Sequence, residues 1–196
     1  KKNWAYAAPA CAALGRLALL GGLPNPVGRG LFVLGSVSLV LVFVVIFRAQ
    51  RNWAHATMGL SVLMWLAGNS LWLANQPVAR AVPWWVGFLL LMIAGERLEL
   101  SRVLRLTGTA LATFLASLLL FLGGVVVSLF AFGLGVRVSG LGLMAFGLWL
   151  LRYDIARRTI RQQGLTRFIA ACLLPGYFWL IFAGAVWLWW ADRFVA

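Results

Sequence analysis

Charged residues are scarce in this chain of 196 residues, and acidic residues are the scarcest of them. Charged side chains make up 11% of the sequence, and only four residues are Asp or Glu. A typical soluble domain has about 25% charged residues. Hydrophobic residues make up 63%, and the mean hydropathy is +0.95. Because so few polar side chains cannot cover a soluble surface, the composition excludes a soluble monomer and indicates a membrane protein.

Residues that bind metals or carry protons are also few. The chain has one histidine, His55, and two cysteines, Cys11 and Cys172, with no Cys-x-x-Cys pair. This excludes a metal site built from several His or Cys ligands of this chain. Lysine occurs only at positions 1 and 2, so no span can carry a retinal Schiff base. Glu96 lies at the end of a span rather than within it, which disfavours proton pumping and cation-coupled transport.

Long apolar runs are what the chain has in abundance. A transmembrane helix needs about 20 apolar residues, and the runs are too long and too continuous for the alternating pattern of barrel strands. Backbone polar groups in lipid must also be hydrogen-bonded within the segment. We therefore predict an all-α fold, a single integral membrane bundle over residues 1–196. Its seven or so helices are expected at 4–23, 29–47, 53–74, 78–95, 109–133, 137–151 and 168–191.

The cations alternate between the two ends of these spans. Twelve Lys and Arg residues fall at the N-terminus and after the second, fourth and sixth spans, whereas four fall on the other side and Arg16 lies within the first span. By the positive-inside rule, the N-terminus is cytoplasmic and the C-terminus is outside. A net charge of +13 would indicate nucleic acid in a soluble protein. Here the cations separate apolar runs, so we expect no nucleic-acid partner and predict anionic lipid head groups as partners at the cytoplasmic face.

One short motif occurs twice. Residues 97–102 match residues 152–157 at an offset of 55, as an Arg-x-acid-aliphatic-small-Arg pattern. The same offset lays the fifth span over the third, which predicts a repeated helical hairpin. The seventh span then lacks a partner, and the sequence begins with Lys rather than Met. We therefore expect the chain to be part of a longer protein or to pair with other membrane subunits.

The second copy of the motif opens a basic segment. Residues 152–167 hold five arginines, and they are predicted to form an amphipathic helix on the inner face that contacts anionic head groups. Asp154 is predicted to pair with Arg157 and Arg158, three and four residues further on.

His55 is the candidate cofactor-binding residue. An imidazole just inside the membrane could ligate a haem iron or a chlorophyll magnesium, or it could instead hydrogen-bond to a head group or a neighbouring loop. Helical spacing is expected to place it on one face with other side chains of its span: Met58, Val62, Trp65, Asn69 and Trp72.

Other polar residues within the spans have two interpretations. Arg16 is the candidate substrate-binding residue if the protein is a transporter, because a charge within a span is costly. It could also extend towards the outer interface. Asn69 and Ser70, together with Thr109, Thr113 and Ser117, are predicted to form hydrogen bonds between helices.

Three runs carry a resemblance to a known family. Residues 83–88 (Pro-Trp-Trp-Val-Gly-Phe), 95–102 and 151–158 resemble stretches of a group of bacterial inner-membrane proteins, which is similar to the NnrS-type haem–copper membrane proteins linked to the nitric-oxide response. The resemblance covers most of residues 80–180 and implies a bacterial multi-pass bundle. In that group the metal-binding histidines lie on helices outside the corresponding stretch, so no ligand role transfers to any residue here.

These observations favour one function and leave others open. The leading hypothesis is a non-catalytic scaffold or accessory subunit of a larger membrane assembly, respiratory or containing haem or another tetrapyrrole. The alternative is a transporter for a neutral or anionic small molecule. The basic inner loops also leave open an enzyme that acts on lipids.

The predicted orientation can be tested by labelling. A Thr159→Cys variant without the native cysteines should react with a membrane-impermeant maleimide only from the cytoplasmic side, because the arginine-rich ends are predicted to stay inside. Labelling in right-side-out and inverted vesicles measures this. Reaction from the periplasmic side alone would mean that the topology is inverted or miscounted.

Overall fold

The computed structural model describes residues 6–101 and 107–194, and in these ranges it is helical throughout, with no strand. This confirms the predicted all-α class. Lys1, Lys2, Arg102 and Arg105, which the charge count includes, lie outside the described residues. A 3₁₀ turn, Ala191–Phe194, follows the last of the eight helices in the described ranges: α1 (Ala7–Leu20), α2 (Asn25–Ala49), α3 (Trp53–Leu73), α4 (Val78–Ser101), α5 (Gly108–Val127), α6 (Phe132–Tyr153), α7 (Ala156–Thr159) and α8 (Leu165–Trp190).

Six of the described helices, α2 to α6 and α8, are long and apolar enough to cross a membrane. The protein is therefore a multi-span membrane protein. The helix in the first predicted span is shorter: α1 has 14 residues, which is about 21 Å at 1.5 Å per residue against a hydrocarbon core of about 30 Å. Six full-length spans, rather than seven, are found in the described ranges. The predicted N-terminus-in orientation stays a prediction.

The turn between α5 and α6 was wrongly placed by the sequence. The fifth span was predicted to reach residue 133, but α5 ends at Val127 and α6 begins at Phe132. The reversal occurs in apolar sequence, with Phe130 88% exposed, so hydropathy gave no sign of it. The sixth span, predicted over only 15 residues (137–151), is therefore longer: α6 has 22 residues, enough to cross the hydrocarbon core.

The chain divides into two compact units, residues 1–96 and 97–196. The single bundle predicted for the whole chain stays a prediction, and each unit is described by itself.

In the first unit, each helix packs on the next one along the chain. Close approach of α1 and α2 is possible because a Cβ atom on Gly15 would lie 2.9 Å from the carbonyl oxygen of Gly28. The amide of Asn69 in α3 bonds across to α2, and its oxygen accepts from Trp85 in α4. Trp65 of α3 stacks on Phe88 of α4.

In the second unit, α6 lies between α5 and α8 and contacts both. A Cβ on Gly142 would lie 2.5 Å from the Cα of Phe121 in α5. On the other side, a Cβ on Gly140 would lie 2.6 Å from the carbonyl oxygen of Gly184 in α8. The indole of Trp149 donates to the carbonyl of Ala110 at 2.8 Å, which holds the start of α5 to the end of α6.

The predicted hairpin repeat is visible in where the helices begin. The first residues of α3 and α5, Trp53 and Gly108, are 55 positions apart, and both helices have the same kind of N-cap. Asn52 accepts from the N–H three residues on, and Thr107 does the same. The copies differ at their ends: residue 99 lies within α4, whereas Asp154 terminates α6.

Neighbouring glycines in α5 provide a matched test of this packing. A Cβ on Gly124 would lie 2.8 Å from the carbonyl oxygen of Gly135 in α6, whereas one on Gly123 would have no atom within 4 Å. Gly124→Ala should lower the free energy of unfolding in detergent by about 1–3 kcal/mol through overpacking. Gly123→Ala should leave it unchanged or raise it by up to about 1 kcal/mol through helix propensity. Equal effects of the two substitutions would contradict the packing described.

Candidate functional site

An apolar groove of about 390 Å³ lies between α2 and α3 in the first unit, and His55 lines it. The imidazole is placed there because Asn52 caps α3 and its side-chain oxygen accepts from the His55 N–H at 2.7 Å. Apart from Arg48 and His55, the lining is apolar and comes from both helices: Val40, Phe43, Val44, Phe47, Ala56, Gly59, Leu60 and Leu63.

The polar groups of this groove lie together at one end. Arg48 is in the last turn of α2 and His55 is in the first turn of α3. The Nδ1 atom of His55 is buried and has no hydrogen-bond partner among the described residues. Buried polar atoms are normally bonded, so this end of the groove offers an unsatisfied nitrogen beside a cation.

The neighbours of His55 differ from those expected on its predicted face. The structure places it beside Gly59 and Leu63, four and eight residues on, which face α2 across the groove. Trp65 of the predicted face instead stacks on Phe88 of α4, and Asn69 bonds to both α2 and α4. Helical spacing alone cannot decide which neighbour each side of α3 meets.

Arg16 is exposed on α1. It lines neither this groove nor the second one described below. Its assignment as a substrate-binding residue stays a prediction.

Asn69 joins three helices, which confirms the prediction that it bonds between helices. Its amide nitrogen lies 3.4 Å from both the Phe32 carbonyl and the Ser36 hydroxyl of α2, and its oxygen accepts from the Trp85 indole at 3.0 Å. The hydroxyls of Ser70, Thr113 and Ser117 instead donate to carbonyls of their own helices, so the prediction is wrong for them.

A buried carboxylate, that of Asp154, links several elements of the second unit. Asp154 Oδ2 accepts from the Tyr177 hydroxyl at 2.7 Å and from the Ala156 N–H at 3.1 Å, and lies 3.8 Å from an Arg97 nitrogen. The carboxylate thereby joins the end of α6, the start of α7 and the middle of α8. The Arg97 Nε is buried without a partner among the described residues.

These partners of Asp154 were missed by the sequence, which predicted pairing with Arg157 and Arg158. The predicted inner-face helix over residues 152–167 is also wrong, because α6 ends at Tyr153 and α7 has only four residues. The segment then turns at Gly164, whose φ of 70° favours glycine. The repeated motif drew attention to both residues, since Arg97 lies in its first copy and Asp154 in its second. No spacing rule along the sequence pairs residues so far apart.

A second apolar groove, of about 420 Å³, lies between α5 and α6. It is lined by Thr113, Ser117 and Trp149 among others, and Arg152 and Tyr153 lie at the end formed by the last turn of α6. The Arg152 guanidinium stands over the Tyr153 ring, 5.8 Å from its centroid. Like the first groove, this one has an arginine from the last turn of a helix, but it has no histidine.

Within residues 6–101 and 107–194, no three His, Cys, Asp or Glu residues lie close enough to hold a metal ion. A family model described as a domain of unknown function (DUF8744) matches residues 1–194. The chain belongs to this family. No curated protein and no solved structure matches it.

The Asp154 contacts can be tested with a pair of tyrosines. Tyr177→Phe removes a hydrogen bond to a buried carboxylate and should lower the free energy of unfolding by about 1.5–3 kcal/mol. Tyr153→Phe is the control, because its ring contacts Trp149 and its hydroxyl has no hydrogen bond among the described residues. Denaturant unfolding in detergent measures both. Similar losses in the two variants would contradict the assigned role of Tyr177.

Proposed function

We propose that the chain is a non-catalytic accessory subunit of a larger protein assembly in the bacterial inner membrane. The support is the first part of α8, Leu165–Ala170, which we call the α8 extension.

The way α8 packs on α6 in the second unit places the α8 extension beyond the end of α6. The antiparallel pairing of α6 and α8 brings Gly140 to Gly184 and Gly147 to Ile181. A Cβ on Gly147 would also lie 3.2 Å from the carbonyl oxygen of Tyr177. In this register the end of α6 at Tyr153 lies level with about residue 171 of α8, and the Tyr177 hydroxyl reaches Asp154 from within the paired stretch. The six residues Leu165–Ala170 continue past that level and add about 9 Å at 1.5 Å per residue.

Three side chains of the extension are large, apolar and exposed. Leu165 is 72% exposed, Phe168 is 66% exposed and Ile169 is 48% exposed, whereas Ala170 is buried. The 20 and 22 residues of α5 and α6 already match the hydrocarbon core of about 30 Å. An apolar surface that continues beyond that length is typical of a protein interaction site. We assign it to a neighbouring membrane subunit.

The location is part of the proposal. The resemblance to bacterial inner-membrane proteins related to the NnrS-type family supports it, and so does the alternation of cations between loops. That resemblance itself stays a prediction.

The other sequence-based hypotheses stay predictions. A haem or other tetrapyrrole in the assembly has His55 as its one candidate ligand in this chain. Transport of a neutral or anionic molecule has Arg16 as its candidate, and the exposure of that side chain does not favour it.

Photo-crosslinking in native membranes tests the proposed interface. A photoreactive residue at Phe168 should form adducts with another polypeptide, whereas one at Leu119, which is 67% exposed in the middle of α5, should contact lipid. Gel shifts and mass spectrometry of the adducts measure this.

Two differently tagged copies of the chain serve as a control for self-association. Adducts that contain only copies of this chain would contradict an accessory role. Equal polypeptide adducts at both positions, or lipid adducts alone at position 168, would also contradict it.

A further inference from the structure

We propose that the groove between α2 and α3 is a specific site for one anionic phospholipid of the cytoplasmic leaflet. The phosphate would lie at Arg48 and His55, and an acyl chain would lie along the apolar lining. This inference does not depend on the accessory role, since it concerns the first unit and a different surface.

Charge is the first argument. The first 95 residues contain no Asp or Glu, so no carboxylate of that stretch can neutralise Arg48. Among the described residues Arg48 has no hydrogen-bond or ion-pair partner, and beside it the buried Nδ1 of His55 has none either. A phosphate diester satisfies both, because it is anionic and its oxygens accept hydrogen bonds from a guanidinium and an imidazole N–H.

Shape is the second argument. From His55 to Leu63 the groove follows α3 for eight residues, about 12 Å, and from Arg48 to Val40 it follows α2 for the same distance. Half of a hydrocarbon core of about 30 Å is about 15 Å. The groove therefore has nearly the depth of one leaflet, with its cationic end where head groups lie.

An open position in the floor of the groove completes the fit. A Cβ on Gly59 would meet no atom within 4 Å, so space is left there that an acyl chain can fill. Phospholipids are present on every side of a membrane protein. A specific lipid site therefore differs from general contact with the bilayer in one respect: substitution of a single residue of the site abolishes binding of one phospholipid.

Native mass spectrometry of the delipidated protein titrated with phosphatidylglycerol or phosphatidylcholine tests the proposal. Wild-type protein should bind one more phosphatidylglycerol than a Gly59→Leu variant, whose side chain fills the groove. Gly30→Leu is the matched control, because Gly30 is also a helical glycine on which a Cβ would meet no atom within 4 Å, and it lies outside the groove lining.

A second pair of variants separates the site from general surface charge. Arg48→Gln should weaken phosphatidylglycerol binding about fivefold, the equivalent of about 1 kcal/mol for one arginine near anionic lipid. Arg51→Gln removes the same charge from the same end of the hairpin but outside the groove, and should change it little. Circular dichroism establishes that each variant is folded.

Three results would overturn the proposal. Equal binding by the Gly59→Leu and Gly30→Leu variants would show that the groove is not the site. Equal weakening by Arg48→Gln and Arg51→Gln would show only surface attraction. A Soret or chlorophyll absorption band in the purified protein that is lost in Gly59→Leu would assign the groove to a pigment instead.

Discussion

Helices in a bilayer gain little by burying apolar side chains against one another, because lipid tails are equally apolar. Association therefore depends on close backbone approach and on polar groups that bridge helices. Both occur in this protein. Gly142 brings α6 against Phe121 of α5, Gly140 and Gly184 bring α6 against α8, and Asn69 joins α3 to α2 and α4. The rest of the structure depends on these contacts, since the apolar side chains around them have no comparable preference for protein over lipid.

Two of the described arginines are stabilised by groups other than carboxylates. Arg29 donates to the Trp72 carbonyl and to the Asn75 side chain and stands over the Trp72 ring. Arg152 stands over Tyr153, and Arg97 approaches the buried Asp154, the exception to this pattern. Carbonyl oxygens and aromatic faces stabilise a guanidinium where acids are absent. Contact of the remaining arginines with anionic lipid head groups stays a prediction.

The two copies of the repeated motif show how similar sequences acquire different structures. Both hairpins begin in the same way, with capped helices 55 residues apart. In the first copy, residue 99 continues a helix. In the second, the carboxylate of Asp154 accepts from the Ala156 N–H and from Tyr177 and terminates α6. In this second copy the tyrosine that binds the carboxylate, Tyr177, comes from α8.

Hydropathy and charge determined the helical class and the number of long spans to within one, and they indicated which residues to test. Helical class and span number can be predicted because they depend on local composition and on the transfer of segments into lipid. The identity of the helices that meet was decided by tertiary structure, even where, as for Asn69, a bond between helices was predicted. Neither the placement of His55 against α2 nor the α8 extension follows from spacing along one helix. The turn after Val127 was equally hidden, since an apolar run does not reveal where it reverses. Such features depend on which surfaces meet, and that is a property of the folded chain.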